Sequence, residues 1–75
     1  MKSEQYLVDY DLPKDHPGRR QFYRYMHKIL DGTKWKKSSD SVIVIDDYTT
    51  ATHILQVAKA FNAIHAHIYK VIPLD

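Results

Sequence analysis

Val42-Ile43-Val44-Ile45 places four branched apolar residues in succession within a chain of 75. Branching at Cβ favours extended backbone, and a strand with one wet face alternates apolar with polar residues. This run does not alternate. It therefore predicts a central strand over Ser41–Ile45 with both faces covered, and the rest of the chain must supply that cover. Seventy-five residues suffice for one domain, 1–75, near the lower limit for a self-sufficient core; a chain this short buries only about 60% of its unfolded surface. There is no cysteine, so neither disulfides nor a thiolate zinc site can add support. Oligomerisation is the remaining source of stability, and the lack of cysteine fits an intracellular protein.

The flanking segments show what surrounds the central strand. Gln5–Tyr10 is rich in β-formers and reads as the first strand, ended by Asp11-Leu12-Pro13 because proline offers no ladder donor. Asp15 is an N-cap candidate before Pro17 and Gly18. Phe22, Tyr25, Met26, Ile29 and Leu30 then recur at helical spacing, with Gly32 suited to a left-handed stop. Thr33–Lys37, centred on Trp35, reads as an edge strand, and Ser38-Ser39-Asp40 as a turn. Asp46, Asp47, Thr49 and Thr50 offer caps for a second helix with Ala51, Ile54, Leu55, Ala58 and Phe61 on its apolar side. Ala63–Ile72 is the last strand.

The order βαββαβ is solved most simply by a four-stranded antiparallel sheet, order 4-1-3-2, with both helices on one face: an α+β, ferredoxin-like fold. One face of that sheet stays uncovered, in conflict with the Val-Ile-Val-Ile run. A homodimer packed sheet on sheet resolves the conflict.

Charge is distributed unevenly. Residues 1–37 hold nine of the eleven Lys and Arg against five acids, and residues 38–75 hold two against four. A basic half points to a polyanion partner. No apolar run approaches the roughly 20 residues of a membrane span, and Met1–Gln5 lacks the apolar region of a secretory signal. A cytoplasmic protein with no membrane partner is expected.

Arg20, Arg24 and Lys28 follow i, i+4, i+8, with Arg19, Tyr23 and His27 on the adjacent line. Guanidinium forks suit phosphate oxygens, and a tyrosine among them can stack or donate a hydrogen bond. The same stripe also describes a merely solvated helix face. Lys34, Lys36 and Lys37 can extend it. Asp9 and Asp11, two apart at a strand end, point the same way. The proposed topology brings Ser39, Ser41 and His65 towards Asp11. A strand-end carboxylate facing its copy across a dimer axis can hold a hard divalent cation such as Mg2+ for phosphodiester hydrolysis; otherwise Asp11 caps the turn. His65 and His67 share one side of the last strand but make an incomplete metal site, to which Asp9 can add a third ligand. An RNA-recognition motif shares the element order but needs exposed aromatics on its first and third strands, which Val-Ile-Val-Ile lacks. With glycine only at positions 18 and 32 there is no glycine-rich phosphate loop.

Tyr10-Asp11 at the end of the first strand, Arg19-Arg20 opening the helix, Ser41-Val42 entering the third strand and Ile68-Tyr69-Lys70-Val71 in the last together resemble the small CRISPR-associated endoribonuclease and spacer-acquisition family. The similarity spans most of the chain. It implies a ferredoxin-like homodimer that binds duplex DNA and bridges copies of a CRISPR integrase in antiviral defence. The family's metal-binding aspartate falls on Asp11 and its basic helix on Arg19 and Arg20. Some members are metal-dependent nucleases and others scaffolds, so activity does not follow from membership. The expected function is nucleic-acid binding, to duplex DNA or RNA, by a homodimer through Arg19, Arg20, Arg24 and Lys28, with Asp11 as metal ligand and catalytic candidate in an endonuclease using Mg2+. The alternative is a non-catalytic protein-interaction or regulatory module whose functional surface is the sheet face.

Overall fold

The structure, a computed structural model, describes residues 4–72; the reading of the N-terminal segment rests partly on residues 1–3, outside that range. The elements are β1 (Gln5–Tyr10), α1 (Arg19–Leu30), β2 (Trp35–Ser39), β3 (Val42–Ile45), α2 (Tyr48–Ala60) and β4 (Ala66–Val71). The four strands form one antiparallel sheet in the order β2-β3-β1-β4. This is the ferredoxin-like arrangement expected from the sequence.

Register fixes which residues share a face. Val8 opposes Ile43 and Ile68, and Tyr6 opposes Ile45. These side chains, with Tyr10, meet Phe22, Met26 and Leu30 of α1 and Ala51, Ile54 and Ala58 of α2 in a single core. Both helices therefore lie on one side of the sheet. Each large side chain closed off there contributes on the order of 1.5–3 kcal/mol. The opposite face carries Leu7, Asp9, Val42, Val44, His67 and Tyr69, the alternate residues of the same strands.

β3 meets its requirement for cover differently on its two sides. Ile43 and Ile45 are fully buried beneath the helices, whereas Val44 on the open face is already reduced to 9% exposure. Its antiparallel neighbours Leu7 and Lys36 flank it within one chain.

Several local expectations shift. β2 runs on through Ser38 and Ser39, with an irregular register between Lys37 and Ser39, so the turn narrows to Asp40-Ser41. Tyr25 is half exposed at 49%, its ring edge-on to Phe61. Asp15 does not cap α1. The N-cap is Gly18, with no side-chain cap, while the Gly18 N–H donates to His16 Nδ1 at 2.9 Å. A Cβ on Gly18 would stand 3.1 Å from the Phe61 ring, so close packing at the two helix ends favours glycine there, which is also acceptable as an N-cap. α2 is capped conventionally: Asp47 accepts from the Thr50 N–H at 2.9 Å and the Thr50 hydroxyl at 2.6 Å. It ends at Asn62 in the left-handed conformation, φ 60°.

Candidate nucleic-acid interface

α1 begins against the rules that stabilise helices. The macrodipole makes an N-terminus positive and favours acids there, yet the first turn of α1 holds no acid and opens with Arg19-Arg20. Two cations at the positive end of an uncapped helix reinforce one another's field. The contrast with α2, whose cap is complete, lies within the same molecule. Among the described residues neither Arg19 nor Arg20 takes part in an ion pair.

The basic stripe is present as expected. Arg20, Arg24 and Lys28 are all exposed and stand along α1, about 12 Å from first to last at 1.5 Å rise per residue. Gln21, Arg24, Tyr25 and Lys28 line a shallow groove of about 170 Å³. Arg19, half buried, lies over the Tyr23 ring at 4.9 Å and donates to the Tyr23 hydroxyl at 3.4 Å; that hydroxyl in turn donates to the Asp40 carbonyl at 3.0 Å. The adjacent-line tyrosine thus holds its arginine in place and ties α1 to the β2–β3 turn.

Beyond the helix start the surface widens into a cleft of about 650 Å³, lined by Lys14, His16, Pro17, Arg19, Arg20 and Tyr23. Lys14 was not among the sequence candidates, and His16 stood out only as a turn histidine able to act as acid or base. Both lie in the β1–α1 loop, whose path no periodicity describes. Because His16 Nδ1 accepts from Gly18, its neutral ring carries its proton on Nε2. The lysines of β2 do not extend the surface together. Lys37 shares the helix side with Trp35 and pairs with Asp40 at 3.5 Å, while Lys36 opposes Val44 on the open face.

Asp11 follows β1, held by backbone bonds to the β4 side: its N–H donates to the His65 carbonyl at 2.9 Å and its carbonyl accepts from the Ile64 N–H at 2.7 Å. Its carboxylate lies 3.9 Å from His65 Nε2, with both side chains about half exposed. Ser41 is also close, its carbonyl accepting from the Tyr10 N–H at 2.9 Å. The ring centroids of His65 and His67 are 5.9 Å apart, and Asp9 opposes His67 in register. Among the described residues no group of three or more His, Cys, Asp or Glu is arranged to hold a metal ion. Mg2+ takes one or two carboxylates plus water, and at this strand end one chain brings the single carboxylate of Asp11, beside His65.

Tyr10, the last residue of β1, is 1% exposed and packs edge-on against Phe22 and Tyr23 at 5.3 and 6.2 Å. Burial pushes its phenol pKa well above the ordinary value, with Tyr23 adding to the shift, so it stays a neutral hydroxyl. No described helix is long and apolar enough to cross a membrane. Set against models of known protein families and the sequences of curated proteins, the chain matches none. The family likeness rests on the residues quoted for it alone.

Proposed function

We propose that this chain is a nucleic-acid-binding module that works as a homodimer, similar in kind to the small CRISPR-associated spacer-acquisition proteins. It grips phosphates through Arg19, Arg20, Arg24 and Lys28. The observation that carries this reading is the start of α1, where two arginines crowd the positive end of an uncapped helix with no acid to offset them. That arrangement costs helix stability and gains only when an anion is present. Lys14 prolongs the cationic surface into the adjoining cleft. In the dimer two Asp11 carboxylates share one Mg2+ and serve phosphodiester hydrolysis, and a CRISPR integrase is the expected protein partner.

The test is fluorescence anisotropy of labelled duplex DNA and single-stranded RNA over a range of salt concentrations. Four neutralised phosphates give a log–log slope of about −3.6 on duplex DNA. The double variant Arg24→Ala/Lys28→Ala lowers its magnitude by about 1.8, alike for all sequences. No binding of either probe at low salt overturns the reading. Asp11→Asn retains binding and abolishes Mg2+-dependent cleavage.

A second reading has its own observation. Leu7, Val42 and Val44 form an apolar strip on the sheet face that the helices leave open, with Tyr69 beside it 52% exposed. A protein-interaction module uses that face, and then neither probe binds.

A further inference from the structure

Among the described residues, just two buried side-chain polar atoms lack a protein hydrogen-bond partner: the Tyr10 hydroxyl and Arg19 Nε. They come from different elements, yet both residues line one crevice of about 220 Å³ between the β1–α1 loop, α1 and the β2–β3 turn. Both atoms have a proton to donate, and Arg19 Nε–H can do nothing else. A buried donor with nothing to accept from it is costly, and two on residues that line one crevice call for an acceptor there. Lys14 and Ser41 line the same crevice and add an ammonium and a hydroxyl.

Two carboxylates also border it, Asp11 and Asp40. Each has a base elsewhere: Asp11 faces His65 at 3.9 Å, and Asp40 faces Lys37 at 3.5 Å. The Asp40 carbonyl is engaged by Tyr23. Lys14 and Arg19 bring two cations against those two carboxylates, and with the Tyr10 and Ser41 hydroxyls they offer donors that suit an oxyanion. The crevice shares Lys14, Arg19 and Tyr23 with the wider cleft that holds Arg20 and His16, so its mouth opens towards the phosphate-gripping helix. Its floor is the buried Tyr10. A small recess beside a wider cleft suits a group with one covalent attachment, which leaves by the way it entered. An internal phosphodiester has two.

We propose that this crevice seats the terminal phosphate of a nucleic-acid strand, with Tyr10, Lys14, Arg19 and Ser41 donating to its oxygens while the strand leaves along Arg20 and the α1 stripe. The inference rests on the nucleic-acid reading and narrows it from phosphates in general to strand ends. Tyr10 serves only the seat, deep to the stripe that grips the backbone.

The experiment compares one duplex in three forms: with 5′-phosphate, with 3′-phosphate and with hydroxyl ends only. A phosphorylated end is expected to bind about tenfold more tightly, the worth of a charge-assisted hydrogen bond. Tyr10→Phe keeps the ring, so the fold is retained; it cancels that gain and leaves affinity for the hydroxyl-ended duplex unchanged. Equal binding of all three forms by the wild type overturns the seat while the nucleic-acid reading stands. A gain that survives in Tyr10→Phe also overturns it, leaving a crevice that holds water. Where no duplex binds, inorganic phosphate decides against chloride at matched ionic strength. A rise in melting temperature for the wild type but not Tyr10→Phe keeps the seat and sinks the nucleic-acid reading; no rise sinks both.

Discussion

Deleting one methylene at graded depths tests whether the tertiary packing is as described. Ile43 and Ile54 are fully buried, whereas Ile64 is 66% exposed. Ile→Val removes the same atoms at each site. At Ile43 the transfer loss is about 0.8 kcal/mol. That residue lies between the two neighbouring strands and under the helices, so little can collapse to fill the gap. A residual cavity on the order of 20 Å³ adds about 0.5 kcal/mol. The expected cost is about 1.3 kcal/mol, near the upper end of measured Ile→Val values. At Ile64 two thirds of the side chain is wet already, so about 0.3 kcal/mol of transfer remains and no cavity forms. Urea denaturation followed by tryptophan fluorescence reads the difference. With a slope of about 1 kcal/mol per molar for a domain this small, Ile43→Val lowers the midpoint by about 1.3 M and Ile64→Val by about 0.3 M. Equal shifts at Ile43 and Ile64 would refute the placement of β3 beneath the helices.

Three further outcomes are expected. Gly18→Ala brings a Cβ to 3.1 Å from Phe61 and destabilises by about 1 kcal/mol; Phe61→Leu in the same chain relieves much of it, and a double-mutant cycle on melting temperatures shows no coupling if the contact is absent. Hydrogen bonds from the Thr50 hydroxyl and N–H hold the Asp47 carboxyl below its ordinary pKa; because the folded value is depressed, the stabilisation is present above the unfolded pKa and fades as pH falls through the folded one. Asp47→Asn, which still caps, flattens that acid limb in thermal melts, and an unchanged limb counts against the contact. Val44→Lys tests the proposed dimer. A lysine on the open sheet face can carry its charge to water in a single chain but not between two packed sheets. Sedimentation equilibrium is expected to find a dimer for the wild type and a folded monomer for the variant, and a monomeric wild type at every concentration refutes the dimer.

The elements were legible because each is written in a local pattern. Apolar residues at strand or helical spacing marked β1, α1, β3 and α2, and their order with the Val-Ile-Val-Ile run sufficed for the sheet topology. The stripe Arg20, Arg24 and Lys28 was legible for the same reason, since helical spacing alone determines which residues share a face. Boundaries failed where tertiary contacts outweighed local preference. Asp15 has the better capping side chain, yet α1 begins at Arg19, behind Gly18, where a Cβ would press to 3.1 Å from the Phe61 ring. Ser38 and Ser39 resemble a turn, yet pairing with β3 draws them into β2.

By itself, then, the sequence determined which segments are strands and helices, their apolar sides, the fold they can close and the basic face of α1. Tertiary structure alone decided the crevice, whose residues Tyr10, Lys14, Arg19 and Ser41 come from a strand end, a loop, a helix start and a turn. Periodicity reports how a residue faces its own element. It carries no record of how loops route separate elements past one another, and that routing is what brings Tyr10 and Arg19 to one crevice.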